Sequence, residues 1–299
     1  LFLLFVIGLI PSVVSASNVY LESSRDAVSV GDTFIVSVKI DADKTSINSA
    51  EGDIVFGSNN NNLVVNDFSL AKSIFSLWPR TPSLSEDGNT ISFTGGVPGG
   101  FELDKAILFN IIVEADKEGT VTISPKNIAV YANDGKATKV LTKVKDLTIN
   151  ILPKNEAIAS TNEWTNLIAL DKENPEAFSI AIGQDDSLFE GRRFAFFTAV
   201  DNQSGISYYE VSENGGPAIR SGSMYVLQNQ DKDITPVLEV TAYDKAGNKT
   251  TSTYTEPGIT VLGFSLNFII ILVAIVVIWI IFRKIMKNKR NKKNVLENK

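Results

Sequence analysis

The sequence predicts an all-β protein built from two consecutive β-sandwiches, the first a larger sandwich or jelly roll, followed by a single C-terminal transmembrane helix. Three observations predict it. Apolar residues alternate with polar ones from Val19 to Ile149, a second set of short alternating segments follows a polar break, and a charge-free apolar run lies near the C-terminus.

The alternation is plainest in Thr33-Phe34-Ile35-Val36-Ser37-Val38-Lys39-Ile40, where Phe34, Val36, Val38 and Ile40 share one face. Ile107, Phe109, Ile111 and Val113 repeat it, as do Ile91 with Phe93 and Val121 with Ile123. A period of two places alternate side chains on one buried face of a strand. Val30-Gly31-Asp32, Gly57-Ser58-Asn59, Glu86-Asp87-Gly88-Asn89, Lys117-Glu118-Gly119 and Asn133-Asp134-Gly135 supply the turns between strands. Many short strands with regular turns point to a sandwich, here over residues 17–151. Residues 152–174 read as a linker, its polar part running from Leu152 to Asn166. Strands resume around 177–182, 193–200, 207–212, 223–227, 237–243 and 249–254, which gives a smaller sandwich over 175–256.

The two ends carry targeting information. Residues 1–16 are mostly apolar through Ile10 and end with small residues at Val14 and Ala16, the pattern of a signal peptide cleaved before Ser17, although the basic n-region is missing. No charge occurs from Gly258 to Phe282, and every residue from Phe268 to Phe282 is apolar. As a helix, residues 262–282 would span about 30 Å, the thickness of a bilayer's hydrocarbon core. The predicted span is 260–282, with Trp279 near one interface and no polar stripe of the kind a buried core helix would show. The tail 283–299 has eight basic residues and one acid, so of the total charge of −6 it carries +7 and the remainder of the chain −13. By the positive-inside rule this puts the tail in the cytoplasm and the sandwiches outside the cell membrane. The basic cluster adds attraction to anionic lipid. No Leu-Pro-x-Thr-Gly motif precedes the helix, so the helix is expected to be retained.

Composition excludes several classes. The chain has no Cys and no His, which removes disulfides, thiolate chemistry, His-based triads and Cys/His zinc sites. The acidic body repels phosphate backbones, so nucleic acid is not an expected partner. Gly95-Gly96-Val97-Pro98-Gly99-Gly100 lacks the Gly-Lys-Ser/Thr of a phosphate loop. Asp43, Asp53, Glu102, Asp104, Asp185 and Asp186 fall in turns or on outward faces with no cleft implied, so an enzyme is not expected.

Several segments, taken in order, resemble the cohesin family over roughly Val19–Ile149. They are Val30-Gly31-Asp32-Thr33-Phe34-Ile35-Val36, Ile47-Asn48-Ser49-Ala50-Glu51-Gly52-Asp53-Ile54-Val55-Phe56, Ile74-Phe75-Ser76-Leu77-Trp78-Pro79, Ile91-Ser92-Phe93-Thr94-Gly95-Gly96-Val97-Pro98-Gly99-Gly100, Gly119-Thr120-Val121-Thr122-Ile123 and Ala132-Asn133-Asp134-Gly135. The resemblance implies a jelly-roll sandwich of about nine strands that docks dockerin modules in polysaccharide-degrading assemblies. It also implies a docking face on the outside of the sheet made by strands three, five, six and eight. Alternation turns Ala50, Ile54 and Phe56 inward and Glu51, Asp53 and Val55 outward. Asp53 matches a position where cohesins commonly carry a dockerin-contacting Asp, and Glu51 stands where an Asn is often found. Ser92, Leu108, Asn110 and Ile112 are expected to face out as well, with Leu108 and Ile112 giving the face an apolar patch, unless another element of the domain covers them. Direct carbohydrate binding is the alternative, with Trp78 and Trp164 as candidate sugar-stacking rings, although Trp78 also suits a core anchor for its loop. A purely structural surface stalk is the other.

The second strand set resembles bacterial immunoglobulin-like modules, through Asp201-Asn202-Gln203-Ser204-Gly205-Ile206, Tyr208-Tyr209-Glu210-Val211 and Tyr243-Asp244-Lys245-Ala246-Gly247-Asn248. The resemblance implies a spacer. Asp201 and Asp244 could hold a Ca²⁺ through loop oxygens, although turn chemistry explains both. No other cofactor is expected.

Overall fold

A computed structural model describes residues 16–57, 62–154, 156–157, 159–186 and 188–255. The predicted membrane helix 260–282, the basic tail 283–299 and all but the last residue of the predicted signal peptide lie outside the described residues. Among the described residues no helix is long and apolar enough to cross a membrane.

Twelve strands form the first sandwich: β1 (Ser17–Ser23), β2 (Val28–Ser29), β3 (Thr33–Asp41), β4 (Ile47–Phe56), β5 (Leu63–Ser69), β6 (Leu77–Leu84), β7 (Thr90–Phe101), β8 (Ala106–Ala115), β9 (Gly119–Ala132), β10 (Lys139–Val140), β11 (Thr142–Lys145) and β12 (Leu147–Leu152). One sheet has the order β11-β1-β3-β8-β5; the other has the order β2-β12-β9-β4-β7-β6, with β10 paired to β9. The inward residues are those that alternation selects. Phe34, Val36, Val38 and Ile40 of β3, Ile54 of β4, Ile91 of β7 and Ile123 of β9 have no exposed surface. Phe93 of β7 and Phe109 of β8 meet between the sheets with ring centroids 5.0 Å apart, which is the interdigitation that holds a sandwich together.

Alternation fails where bulges interrupt the pairing, and two of them decide where candidate residues point. Val38 pairs with Phe109 but Lys39 pairs with Ile107, so Leu108 is an extra, unpaired residue in β8. An extra residue resets which side chains face inward. Leu108 therefore enters the core with no exposed surface, while Ile107 is only half-buried. In β9, Glu51 of β4 pairs with Ala129 and Asp53 with Lys126, leaving Asn127 and Ile128 unpaired. Asn127 there takes a left-handed φ of 51°, a conformation Asn tolerates better than most residues. Gly52 lies opposite, and a Cβ on it would come within 2.5 Å of Ile128 Cδ1.

The segment expected to be a linker contains a two-turn helix, α1 (Glu163–Leu170). Asn162 caps it, its Oδ1 accepting from the Thr165 N–H at 2.8 Å, and Glu163 places an acid in the first turn, where the helix dipole favours it. The approach to α1 is fastened to the first sandwich. The Thr33 N–H donates to the Thr161 carbonyl at 2.8 Å, and the Thr161 N–H donates to Asp32 Oδ1 at 2.7 Å. The helix packs against β3.

Seven strands follow: β13 (Ile180–Gln184), β14 (Arg193–Phe197), β15 (Ile206–Glu213), β16 (Ile219–Ser221), β17 (Met224–Val226), β18 (Leu238–Asp244) and β19 (Lys249–Tyr254). They form a three-stranded sheet β13-β14-β17 and a four-stranded sheet β16-β15-β18-β19. Phe197, Val211, Leu238 and Val240 make the centre of their shared core. The two sandwiches touch through the loop before β15 and the turn after β18. Ser69 Oγ of β5 donates to the Ser204 carbonyl at 2.9 Å, and the Lys245 ammonium pairs with Asp67 of β5.

Candidate docking face

The outer side of the β9-β4-β7-β6 run carries polar side chains at half exposure. Glu51, Asp53 and Val55 project from β4 beside Ser92 of β7, as alternation requires. Asp53 is clamped from both sides. Its Oδ1 accepts from Ser92 Oγ at 2.8 Å, and its Oδ2 accepts from Asn127 Nδ2 at 2.8 Å. Glu51 Oε1 accepts from the Tyr131 hydroxyl at 2.8 Å. That hydrogen bond, more than the partial burial around it, raises the Tyr131 pKa above the usual tyrosine value and keeps the hydroxyl a donor. At the β6 edge, Leu77 stands opposite Gly96 and is 42% exposed, which adds an apolar element.

Asn127 and Tyr131 were not among the sequence candidates. Extending the Val121/Ile123 alternation along β9 would have turned both inward; the bulge reverses the parity, so Val130 is buried instead. The available signal was Pro125, since proline in a strand away from a sheet edge marks a bulge.

The expectation that Leu108, Asn110 and Ile112 share this face is corrected. All three lie on β8, which belongs to the opposite sheet. Leu108 points into the core because of the bulge described above. Asn110 makes internal bonds, its Oδ1 accepting from Ser37 Oγ at 2.7 Å and its Nδ2 donating to the Ala71 carbonyl at 3.0 Å. Ile112 keeps the outward parity but has no exposed surface. It pairs with Ile35 and Asp67, on the side of the sheet where α1 and the second sandwich pack. The apolar patch expected from Leu108 and Ile112 is therefore absent from the candidate face.

Neither candidate sugar-binding tryptophan stands free. Trp164 of α1 is 9% exposed and has the Lys245 ammonium 5.8 Å from its ring centroid. Trp78 packs on the core, edge-on to Phe75 at 5.7 Å and to Phe109 at 6.2 Å. Its remaining surface lines a groove of about 190 Å³ together with Leu70, Phe75 and Tyr208. Asp201 and Asp244 are both buried and meet a third carboxylate, Asp171, at the end of α1.

No family model matches the sequence, and no curated protein matches it. Solved structures do. The seventh ScaB type I cohesin from Pseudobacteroides cellulosolvens is 15% identical, with 48% of this chain and 97% of that chain covered at a TM-score of 0.40. A non-cellulosomal cohesin from Archaeoglobus fulgidus is 18% identical over 48% of this chain and 95% of its own, at 0.37. A type I cohesin–dockerin complex from Clostridium thermocellum gives 18% identity, 46% and 99% coverage, and 0.37. Over about half of its length, the chain is similar to cohesin modules.

Proposed function

We propose that this chain is a noncatalytic recognition protein that docks a partner module of the dockerin type on the outer face of the β9-β4-β7-β6 sheet. The carrying observation is that Asp53 and Glu51 project from that face already held by Ser92, Asn127 and Tyr131. Each carboxylate oxygen that accepts one donor keeps a second lone pair for a partner's hydroxyl, amide or cation. Because the side chains are pre-positioned, docking orders less of the protein than a flexible face would require. Leu77 at the edge supplies apolar contact beside the polar centre.

The second sandwich is read as an immunoglobulin-like spacer. Its strand order of three against four supports the reading, since strands β13, β14 and β17 oppose β16, β15, β18 and β19. Residues 260–282 are read as the anchor that holds both sandwiches on the outer side of the cell membrane, with 283–299 inside. In the family that the sequence resembles, partners of this type belong to polysaccharide-degrading enzymes, which makes secreted enzymes with dockerin modules the class to test first.

The test is surface plasmon resonance with the full-length chain captured in detergent and dockerin modules from the same genome passed over it. At least one module should bind, and Asp53→Arg and Glu51→Arg should each weaken it tenfold or more, the range for reversing a charge inside an interface. Binding by none of the modules, or wild-type affinity in both variants, overturns the proposal.

A further inference from the structure

Three carboxylates distant in sequence converge beside the junction of the sandwiches. Asp171 ends α1, Asp201 lies in the loop after β14 and Asp244 ends β18; one oxygen from each lies within 4.8 Å of the other two. Their exposures are 1%, 4% and 2%. Among the described residues, their hydrogen-bond donors are uncharged. Asp171 accepts from the N–H groups of Glu173 and Ser204. Asp201 Oδ1 accepts from the N–H groups of Gln203 and Gly205, and Asp244 accepts from the backbone and side chain of Asn248. Among the described residues no Lys or Arg forms an ion pair with any of the three; the neighbouring Lys245 is engaged with Asp67.

Turn chemistry explains the individual hydrogen bonds but not the convergence of three acids on one buried point. Ser204 adds a separate observation. Its hydroxyl is fully buried and has no hydrogen-bond partner. The same residue's N–H donates to Asp171 Oδ2 at 3.2 Å, so Ser204 adjoins the carboxylates. A buried hydroxyl without a partner is rare and calls for a ligand or an ion.

We propose that Asp171, Asp201, Asp244 and the Ser204 hydroxyl form a Ca²⁺ site that locks α1 to the second sandwich. An all-oxygen, carboxylate-rich donor set selects a hard cation. Mg²⁺ dehydrates reluctantly and seldom takes an all-protein cage, whereas Ca²⁺ accepts a flexible shell of protein oxygens, so three carboxylates this deeply buried suit Ca²⁺. The ion joins the end of α1 to the loop that binds Ser69, so it also fixes the second sandwich against the first.

The test takes the full-length chain in detergent, stripped with EGTA, and titrates it calorimetrically with CaCl₂ and, separately, with MgCl₂. One Ca²⁺ per chain should bind, at least tenfold tighter than Mg²⁺, and saturating Ca²⁺ should raise the thermal midpoint by about 5 °C or more. Asp201→Asn keeps the turn acceptor but loses the charge. It should bind Ca²⁺ at least tenfold more weakly, yet melt no lower than wild type in EGTA, because the repulsion is gone. Ser204→Ala, a smaller change, should weaken binding without altering the midpoint in EGTA. Absence of stoichiometric Ca²⁺ binding by wild type at millimolar concentration overturns the site, as does wild-type affinity in Asp201→Asn.

Discussion

Replacing Leu108 with Ala sets the bulge in β8 against simple alternation. Alternation would make Ile107 a core residue and Leu108 a surface residue; the register at Val38 and Lys39 makes Leu108 the core residue. Leu108 has no exposed surface. Truncation to Ala removes three buried carbons, about 2.4 kcal/mol of transfer free energy at ~0.8 kcal/mol each. Incomplete collapse of the space left behind raises the total to about 3–4 kcal/mol. That is a factor of at least 100 in the folding equilibrium of the first sandwich, and about 6–15 °C in its midpoint. Ile107→Ala, at a half-buried position, should cost no more than about 1.5 kcal/mol. Urea unfolding of the full-length chain, followed by tryptophan fluorescence, gives both values, because Trp78 sits against Phe109 in the same core. Equal costs for the two substitutions, or a larger cost at Ile107, would refute the bulge and return Leu108 to the surface.

Two further outcomes follow from the same sandwich. Gly95→Ala in β7 would place a Cβ 2.6 Å from Phe75 Cδ2 and 2.9 Å from two Trp78 ring atoms. Overpacking of this kind should cost about 1–3 kcal/mol and shift Trp78 emission in the folded protein; an unchanged urea midpoint would show that the rings move aside freely. Tyr20 donates to Asp41 at 3.2 Å, and burial together with Asp41 raises its pKa from 10.0 to about 12. The folded state therefore prefers the neutral phenol. Its stabilisation is complete below pH 10 and is lost as pH rises from about 10 to 12. Partial exposure keeps the effect near or below about 1 kcal/mol. The fall in urea midpoint from pH 9 to pH 11.5 should be smaller in Tyr20→Phe than in wild type, since other tyrosines with raised pKa values remain, and an equal loss in both proteins would remove Tyr20 as the cause.

The parts of this fold that the sequence makes legible are those where one local rule decides. In β3, four apolar residues two apart, with Ser37 and Lys39 separating the last three, favour one way to bury the strand. The same holds for Ile91 and Phe93, and for Glu51, Asp53 and Val55 on the reverse of β4. Legibility ends where an extra residue changes parity, because no periodicity reports an insertion that the partner strand lacks. Leu108 and Tyr131 both lie at or beyond such an insertion. Sheet membership is a second limit. Alternation tells which side of its own sheet a residue of β8 faces, but β8 pairs with β3 and β5, and that pairing is set by contacts far apart in the chain. The helix α1 was signalled by Asn162 before Glu163, but two turns are too short for a convincing apolar stripe. Asp171 was invisible as a partner of Asp201 and Asp244 for the same reason: only the packing of α1 beside the second sandwich brings it there.

The two outer faces of the first sandwich differ in what they contact, and the residues show why. Behind β8 and β5, Ile112 is fully buried, Asp67 is neutralised by Lys245 and Ser69 donates to Ser204, so this face is committed to α1 and the second sandwich. Behind β4 and β7, Asp53 and Glu51 stand at half exposure and accept hydrogen bonds from neutral donors. A carboxylate held by neutral donors retains its attraction for a cation or an N–H from outside, whereas one paired with Lys has largely spent it. Fixing the second sandwich behind one face also stiffens the sheet whose partner presents the other, since the two share the core from Phe93 to Phe109. On the proposed docking, a partner would meet a surface whose side chains and backbone are both already in place, the condition under which a small polar interface can hold its ligand.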